Sequence, residues 1–489
     1  MKQFLLFVSI VVGCLFSAAS YAQTMKMSKS DAMTVAQRQF HPFKYKVREH
    51  KNAEASGDFK SMNIASRAGE LATLLGDDIY NVDSLVVTGE IDDTDIHTLW
   101  DASFNGKLSV INMENATVKS GIIPENAFWN IGEQIDPSFE HLYIISLRRI
   151  ILPNEIKRIE RSAFAYAIHL EEVNIPSALQ YLGVDAFYEC ENLKTDPLVF
   201  PEGFERIDRR AVINCWNLRN VILPSTIKEI GDDAFWQAKI SSVSLPEGLE
   251  RIGDGAFLGC RLKEVVIPNS CQYVGTFLFQ INYDLEKVRL PEGIERIPDE
   301  FADGCIHLRQ VNIPSSVKSI GKEAFEDCWQ LSGVELPDGL ETIEKDAFQN
   351  CEAFEQLCFP ATLKCLGEEC CTCLYSLKRI YCLASEPPVC EKSNLNVGYT
   401  PFGGYDSGGT PRDIPVYVPV GSAEKYRNAW GWDYFTNFVE TDDFPTAINS
   451  ISISQSRQNA VYDLSGRKVA SPQSGHIYII NGKKRIFAN

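Results

Sequence analysis

One pattern of hydrophobic and polar positions repeats along the middle of the chain. Its consensus is Φ-P-x-x-Φ-x-x-I-x-x-x-A-F-x-x-C-x-x-L-x-x-V-x-Φ, in which Φ is aliphatic or aromatic. The pattern has a nearly constant period of roughly 22–25 residues, which predicts a solenoid whose repeats bury their apolar sides against their neighbours. The proline of the pattern recurs at Pro153, Pro176, Pro201, Pro224, Pro246, Pro268, Pro291, Pro314, Pro337 and Pro360.

Each repeat predicts two short strands and a packed turn. The segment Leu-x-x-Val-x-Φ, as at residues 308–313, alternates inward and outward side chains, which is typical of a half-buried strand. Proline ends that strand, where no further ladder donor is required. A second short apolar element follows at residues 317–321, and Ala324-Phe325 then places a small and a large side chain inside the coil. The sequence therefore predicts a β-rich arc of about ten coils over residues 142–384.

The flanking segments predict caps on this stack. Residues 23–67 are polar and are expected to form a loose helix or a flexible leader. Residues 68–141 predict an N-terminal cap and a partial repeat, interrupted by an insertion near residues 133–139. Within this cap we expect helices at residues 69–75 and 94–100 and strands at residues 84–88 and 108–113, the second helix starting at the acidic run 92–95.

Residues 385–445 predict a C-terminal cap. A strand is expected at residues 414–419, followed by a short helix that Ser422 caps and that runs to Tyr426. The aromatic cluster that follows favours a capping role, with stacking on sugars as the alternative: Trp430, Trp432, Tyr434, Phe435 and Phe438. Residues 446–489 predict a separate β-rich tail with two β-runs around turns.

Charge and leader composition narrow the classes of partner. The formal net charge of −18 argues against nucleic acid or an anionic membrane surface as the main partner.

Residues 1–22 predict a signal peptide, with Lys2 before an apolar stretch and cleavage near Ala22. Lipidation of Cys14 in a loose lipobox is the less favoured alternative. The chain shows no second hydrophobic segment, so no transmembrane span is expected.

The cysteines follow the repeat more than they suggest disulfides. Six of the fifteen occupy one slot of the repeat, the third position after the Ala-Phe pair, and Ala167, Ala238, Asn282 or Leu374 fills that slot elsewhere. Because a free thiol packs like a small apolar group, we expect a buried ladder of thiols in that slot. In the last coil, Cys370, Cys371 and Cys373 are expected to pack as well, with one disulfide or, less favoured, a zinc site as alternatives. The ladder cysteines are Cys190, Cys215, Cys260, Cys305, Cys328 and Cys351.

Catalytic and cofactor motifs are missing from the sequence. No H-E-x-x-H, G-x-S-x-G, Walker or kinase motif occurs, and residues 253–259 belong to the repeat although they superficially suggest a phosphate loop. His169 and His307 occupy one repeat position on two distant coils. We expect no enzyme activity, no cofactor and no metal.

The repeat resembles a known family. Residues 313–328, Ile-Pro-Ser-Ser-Val-Lys-Ser-Ile-Gly-Lys-Glu-Ala-Phe-Glu-Asp-Cys, closely resemble the BspA-like leucine-rich repeat of surface proteins from gut and oral anaerobic bacteria. The resemblance covers about half of the chain and implies extracellular adhesion or binding of host proteins. Residues 461–469 and 475–483 resemble C-terminal tails of secreted proteins from this group, which are similar to sorting domains of the type IX secretion system, although this tail is shorter.

The outward positions of the strand ladder remain as the candidate site. They carry varied polar and apolar side chains, which suits recognition of a protein partner. We therefore predict an exported cell-surface protein that binds a protein partner through this face. A lipid or the sorting system is the expected means of anchoring to the cell. A glycan bound by this face or by the C-terminal aromatics is the alternative. The best anchors by residue type are Lys287, Arg289, Arg379 and Tyr381.

Overall fold

A computed structural model describes residues 59–129, 145–392, 399–404 and 408–444, and four short strands between residues 461 and 486. The predicted signal peptide with Cys14, the leader as far as residue 58 and the insertion near residues 133–139 lie outside the described residues. Among the described helices, none is long and apolar enough to cross a membrane.

In the described part of the chain, the regular structure consists of short strands and three α-helices. The α-helices are α1 (Leu71–Leu75), α2 (Asp93–Phe104) and α3 (Ala423–Asn428), and single 3-10 turns cover Gly76–Asp78 and Trp432–Tyr434. The strands are β1 (Ser61–Ser66), β2 (Ser84–Ile91), β3 (Val110–Asn112), β4 (Ala116–Val118), β5 (Ile122–Ile123), β6 (Arg149–Ile151), β7 (Arg158–Ile159), β8 (Glu172–Val173), β9 (Tyr181–Leu182), β10 (Leu198–Val199), β11 (Arg206–Ile207), β12 (Asn220–Ile222), β13 (Glu229–Ile230), β14 (Ser242–Val243), β15 (Arg251–Ile252), β16 (Glu264–Val266), β17 (Tyr273–Val274), β18 (Lys287–Arg289), β19 (Arg296–Ile297), β20 (Gln310–Asn312), β21 (Ser319–Ile320), β22 (Thr342–Ile343), β23 (Gln356–Phe359), β24 (Cys365–Leu366), β25 (Arg379–Cys382), β26 (Val389–Cys390), β27 (Tyr399–Thr400), β28 (Gly403–Gly404), β29 (Gly408–Gly409), β30 (Pro415–Val418), β31 (Asn437–Glu440), β32 (Val461–Tyr462), β33 (Lys468–Val469), β34 (Ile477–Ile480) and β35 (Lys483–Ile486).

Two parallel ladders run along the solenoid and confirm the predicted repeat. The first ladder contains the Leu-x-x-Val-x-Φ strands, in the groups β1-β2-β3-β6-β8, β10-β12-β14, β16-β18-β20 and β23-β25-β30-β31. The second contains the isoleucine strands, in the groups β5-β7-β9-β11-β13-β15-β17 and β19-β21-β22-β24-β26. Inward and outward side chains alternate in both ladders. Val288 and Val311 are buried partners in the first ladder, and in the second ladder Ile159 is buried while Arg158 is exposed. The caps extend the ladders beyond the ten coils predicted for residues 142–384, so the whole stack has about 15 turns.

Phenylalanine rings form two stacked runs inside the coils, as the Ala-Phe pairs predict, from Phe128 to Phe187 and from Phe235 to Phe348, and Val212 fills the position between them. Phe164 stacks on Phe187 with ring centroids 5.2 Å apart, and Phe325 stacks on Phe348 at 5.5 Å. These rings are fully buried. Within each run a ring contacts a ring of the next coil, so removal of one opens a cavity that two coils share.

A third face joins the two ladders, and we call it the turn face. Each coil has two positions there with positive φ, one directly before the Ala-Phe pair and one directly before the cysteine slot, such as Asp346 (φ 53°) and Asn350 (φ 60°). Adjacent coils are hydrogen-bonded along this face; the Phe325 N–H donates to the Ala347 carbonyl at 2.9 Å. The sequence reasoning missed this third set of contacts, because most residues at these positions are not glycine or asparagine.

The N-terminal cap covers the first coils with helix α2. The acidic run starts this helix, as expected, and it also forms a capping box. Asp92 accepts hydrogen bonds from the backbone N–H groups of Thr94 and Asp95, and the Asp95 side chain accepts one from the Asp92 N–H. One expectation is corrected. The leader was expected to reach residue 67, but β1 already begins at Ser61 and pairs with β2 along its whole length.

The C-terminal cap continues the first ladder through β30 and β31. Helix α3 lies where a short helix is expected, but Ser422 does not cap it as predicted. The Ser422 hydroxyl donates to the Ser385 carbonyl at 3.0 Å, and Glu440 accepts the free Ala423 N–H at 3.0 Å instead. In the tail, β33, β32, β34 and β35 form an antiparallel sheet in that order, which agrees with the two expected β-runs.

Candidate functional site

The outward positions of the first ladder, two and four residues before each repeat proline, form one surface that we call the strand face. Parallel pairing aligns these positions from coil to coil. Glu264, Lys287 and Gln310 are consecutive partners in one row. Val266 and Arg289 are partners in the other row, followed by Asn312. The strand face therefore presents two ordered rows of side chains.

Three aliphatic side chains are exposed in the second of these rows. The exposed fractions of Val199, Ile222 and Val266 are 46%, 50% and 49%. Val199 pairs directly with Ile222. Beside Ile222, the short side chains of Ser242 and Ser244 leave a depression of about 510 Å³. Its other lining residues are Asp196, Pro197, Asn220, Val221 and Val243.

The structure brings the four predicted anchors together only in two pairs. Lys287 and Arg289 lie on β18, whereas Arg379 and Tyr381 lie on β25. The row passes from Lys287 through Gln310, residue 333 and residue 356 to Arg379, which is four strand steps or roughly 19 Å. Only the Lys287–Arg289 pair lies beside the exposed aliphatic row.

The anchors also differ in how free their side chains are. Lys287 Nζ lies 3.1 Å from Glu264 Oε1, so its charge is partly neutralised. Tyr381 stacks on Tyr417 with centroids 4.8 Å apart. Val266, one coil from Arg289, joins that cation to the aliphatic row. Sequence reasoning overlooked the aliphatic row as a site, although Val199, Ile222 and Val266 share one repeat position.

The cysteine slot is a ladder of buried free thiols, as predicted, and it has a polar role that the sequence reasoning did not include. Each thiol donates a hydrogen bond to the carbonyl of the coil before it. Asn282, which fills the slot in one coil, donates to the Phe257 carbonyl at 2.7 Å in the same way. The thiol distances are 3.1 Å for Cys190 to Phe164, 3.4 Å for Cys215 to Phe187, 3.2 Å for Cys260 to Phe235, 3.0 Å for Cys305 to Phe279, 3.2 Å for Cys328 to Ala302 and 3.2 Å for Cys351 to Phe325.

Burial makes these thiols poor nucleophiles. It raises the pKa of Cys260 to about 12 and the pKa of Cys328 well above its ordinary value. Thiolate, not thiol, is the reactive and metal-binding form of cysteine. The ladder is therefore suited to packing.

The cysteine-rich last coil is packed in the same way. Cys370 and Cys371 are fully buried in the Ala-Phe slots, with their sulfur atoms 3.8 Å apart, and both are free thiols. Every cysteine in the described part of the chain is free. Within the same residues, no group of three or more His, Cys, Asp or Glu side chains is placed to hold a metal ion.

The C-terminal aromatic cluster is interior. Trp432 and Tyr434 are at most 1% exposed, and the Trp432 indole N–H donates to the Pro388 carbonyl at 2.9 Å. Phe435 and Phe438 are also buried, while Trp430 is partly buried. Four of the five rings thus have no free face for a sugar, and the cluster fills the cap.

The turn face carries an unexpected run of carboxyl groups, which we call the carboxyl column. Gln280 donates to both Glu300 and Asp303, at 2.8 and 2.9 Å. Burial and neighbouring carboxylates raise the pKa of Asp303 and Glu326, and burial raises the pKa of Asp346 to about 7. The sequence contained a sign of this column, because its acidic residues lie at fixed distances after the repeat prolines. The column consists of Glu300, Asp303, Glu323, Glu326, Asp346 and Glu369.

Comparisons with solved structures find bacterial leucine-rich repeat proteins. One from Bacteroides ovatus is 22% identical, with 66% of this chain and 87% of that chain covered and a TM-score of 0.48. One from Eubacterium ventriosum is 19% identical, with 62% and 87% covered and a TM-score of 0.36. A leucine-rich cell surface protein from Faecalibacterium prausnitzii is 22% identical, with 61% and 87% covered and a TM-score of 0.34.

The family comparison rests on the repeat itself. No curated protein matches the sequence. The model of the BspA type leucine-rich repeat region matches residues 130–244, 157–286, 228–351 and 275–387, which together span more than half of the 489 residues. These matches coincide with the stacked coils and their two ladders. The chain belongs to the BspA type leucine-rich repeat family.

Proposed function

We propose that this protein is an exported scaffold at the cell surface, which mediates adhesion by binding a protein partner through the strand face. The observation that carries the proposal is the aliphatic row of Val199, Ile222 and Val266, each about half exposed. A strand face that is merely solvated carries polar side chains at such positions. A row of exposed aliphatic side chains, interrupted by Ser244 and bordered by polar and charged side chains, is instead typical of a protein-binding surface.

Arg289 supplies the charged part of this surface. It extends the aliphatic row directly, because its strand partner is Val266. The chain is strongly acidic overall, so a local cation selects a partner with an acidic group opposite it. Lys287 strengthens the same positive end, while Arg379 and Tyr381 form a second contact point roughly 19 Å away.

A binding assay with the purified chain tests the proposal. Immobilised extracellular matrix proteins, surface proteins of other bacteria and a glycan array are presented to it in parallel. We expect retention on a protein, a loss of at least tenfold in affinity for Ile222→Asp and several-fold for Arg289→Glu. Arg379→Glu tests the second contact point. Lys107→Glu, an exposed change on the N-terminal cap, is the charge-matched control and should leave affinity unchanged.

Two outcomes contradict the proposal. Retention on glycans alone, with no protein retained, supports the alternative of a glycan-binding component. Equal affinity of wild type and Ile222→Asp for a retained protein excludes the strand face as the surface used. Localisation is tested separately: protease treatment of intact cells should digest the chain, and complete protection contradicts exposure at the cell surface.

A further inference from the structure

The N-terminal cap contains a second cavity, far in sequence from the aliphatic row. It has a volume of about 250 Å³ and lies between helix α2 and the partial repeat that starts at Pro124. Along α2 the lining residues follow the spacing of a single helix face. They are Asp93, Ile96, His97 and Trp100 from α2, and Pro124, Glu125, Asn126, Ala127 and Trp129 from the partial repeat.

Aromatic rings form two sides of this cavity. His97 stacks on Trp100 at 4.9 Å, and Trp100 stacks on Phe104 at 5.0 Å, so other rings occupy the faces of Trp100. His97 is exposed, and its outer face remains open. Trp129 contacts Tyr166 at 5.9 Å and is half-buried. His97 and Trp129 therefore present aromatic surface, while Trp100 presents its edge.

Two polar atoms at this cavity are unsatisfied. The Trp100 Nε1 donor and the Asn126 Oδ1 acceptor are buried and have no hydrogen-bond partner. An unpaired buried polar group destabilises the folded state, and native proteins contain few of them. Exposed carboxylates of Asp93 and Glu125 add further acceptors at the rim.

The pairing of an unsatisfied donor with an unsatisfied acceptor restricts the ligand. A hydroxyl group both donates and accepts, so neighbouring hydroxyls on one ring can pair with the indole N–H and with the amide oxygen. An ammonium group only donates, and a quaternary ammonium forms no hydrogen bond at all, so either cation leaves the indole N–H unpaired. An acidic sugar is repelled by the two carboxylates. The volume is below that of sites for drug-sized ligands, which suits a single ring.

We propose that this cavity binds one neutral sugar ring, stacked on His97 or Trp129 and hydrogen-bonded to Trp100 and Asn126. Surrounding side chains cover both unsatisfied atoms. The side chains at the rim must therefore move slightly before a ligand can reach these atoms. The site is independent of the strand face, and a protein partner and a sugar can be bound at the same time.

Ligand-observed NMR and tryptophan fluorescence of the whole chain test this proposal. The probes are methyl β-glucoside, methyl β-galactoside, methyl α-mannoside and N-acetylglucosamine, with tetramethylammonium chloride as the cationic competitor class. We expect one or more sugars to bind with millimolar affinity and tetramethylammonium not to bind. Trp100→Phe, which keeps the stacked ring, and Asn126→Gly, which keeps the positive φ, should each weaken binding about five- to tenfold.

Two further variants keep the test decisive. Glu125→Gln changes only the exposed rim and should weaken binding modestly, even if a buried variant folds poorly. Trp216→Phe, at a partly exposed tryptophan on a distant coil, should leave the affinity unchanged. Binding of tetramethylammonium without binding of any sugar overturns the proposal, as does equal sugar affinity of the wild type and folded Trp100→Phe and Asn126→Gly. A protein-binding strand face is unaffected by either result.

Discussion

In the coils that begin at Pro176 to Pro246, the turn face carries an arginine–carboxylate pair and apolar side chains, whereas in the coils from Pro291 to Pro360 it carries the carboxyl column. In the first region, Arg210 donates to Asp185 at 2.9 Å. The position directly after the Ala-Phe pair holds Ile213, Trp236 and Leu258 there, but Asp303 and Glu326 in the second region.

Both regions use one backbone. Arg210 and Glu323 have φ values of 54° at the same repeat position, and coil-to-coil hydrogen bonds of similar length follow, 2.9 Å from the Val212 N–H and from the Phe325 N–H. The backbone of the turn face thus accepts apolar, basic or acidic side chains alike. The first region also buries a carboxyl group, Asp233, on its turn face. In the second region, however, several carboxyl groups lie on successive coils, and burial with neighbouring carboxylates raises their pKa.

The largest effect should be the same in both regions, because they share the phenylalanine core. Phe235→Ala and Phe325→Ala each remove a fully buried ring from the stack and should lower the free energy of unfolding by about 3–5 kcal/mol. Urea unfolding at pH 6 measures the loss, and hydrogen exchange shows where the coils open. A much smaller loss in one region means that the two cores are not equivalent.

The dependence of stability on pH should differ between the two regions. Burial raises the folded-state pKa of Asp303 and Glu326, and that of Asp346 to about 7. Their unfolded values lie near 4, so the folded state binds more protons, and stability present at pH 4 is lost as the pH rises through 7. Between pH 5 and pH 8 we expect the coils from Pro291 to Pro360 to lose roughly 2–4 kcal/mol.

Hydrogen exchange at both pH values, corrected for the intrinsic rate, measures this loss. The nearby Lys345, 3.5 Å from Asp346, reduces it, while Glu323, Asp327, Glu368 and Glu369 increase it. The coils from Pro176 to Pro246 should change little and serve as the internal control. Equal changes in both regions contradict the assignment of the pH response to the carboxyl column.

Neutral substitutions in the column should remove that response. Asp303→Asn with Glu326→Gln keeps the side-chain shapes and removes two buried charges, so stability at pH 8 should rise by about 1–3 kcal/mol. Asp185→Asn is the matched change in the first region. It leaves Arg210 without its charge partner and should cost about 1–2 kcal/mol. Thermal unfolding at pH 5 and pH 8 compares the variants; a pH response that survives the double substitution contradicts the prediction.

The smallest effects should come from the cysteine slot, which runs through both regions. Asn282→Ala leaves the Phe257 carbonyl without its side-chain donor and should cost about 1–2 kcal/mol. Asn282→Cys restores a donor of the type found in neighbouring coils and should be nearly neutral. Chemical unfolding measures both. Equal losses for the two variants mean that the slot selects volume and not hydrogen bonding.

Much of the fold could be predicted from the sequence, because the repeat is local. Val311 and Ile320 mark the two ladders, and the Ala324-Phe325 pair marks the core, all within one period. The candidate site was only partly predictable. Lys287 and Arg289 follow from the repeat position, but the exposure of Val199 depends on the coil beside it.

The misses have a common physical cause. Ser422 has the right residue type for a helix cap, but its hydroxyl bonds to Ser385, which is 37 residues away in sequence. Likewise the sequence of β1 has no strong hydrophobic periodicity, and this segment is a strand because its backbone pairs with β2. In both cases a distant contact overrides the local preference.

By itself the sequence determined the period, the two strand ladders, the buried thiol slot and the repeat family, because every coil repeats the same local pattern. Only the tertiary structure decided which outward columns are accessible and which are buried. On the turn face, glutamate and phenylalanine residues adopt positive φ, a conformation that these residue types rarely adopt and that the sequence therefore does not predict. Stacking of the coils then buries Asp303 and Asp346 and brings further carboxyl groups close to them, so that the pKa of these acidic residues is raised.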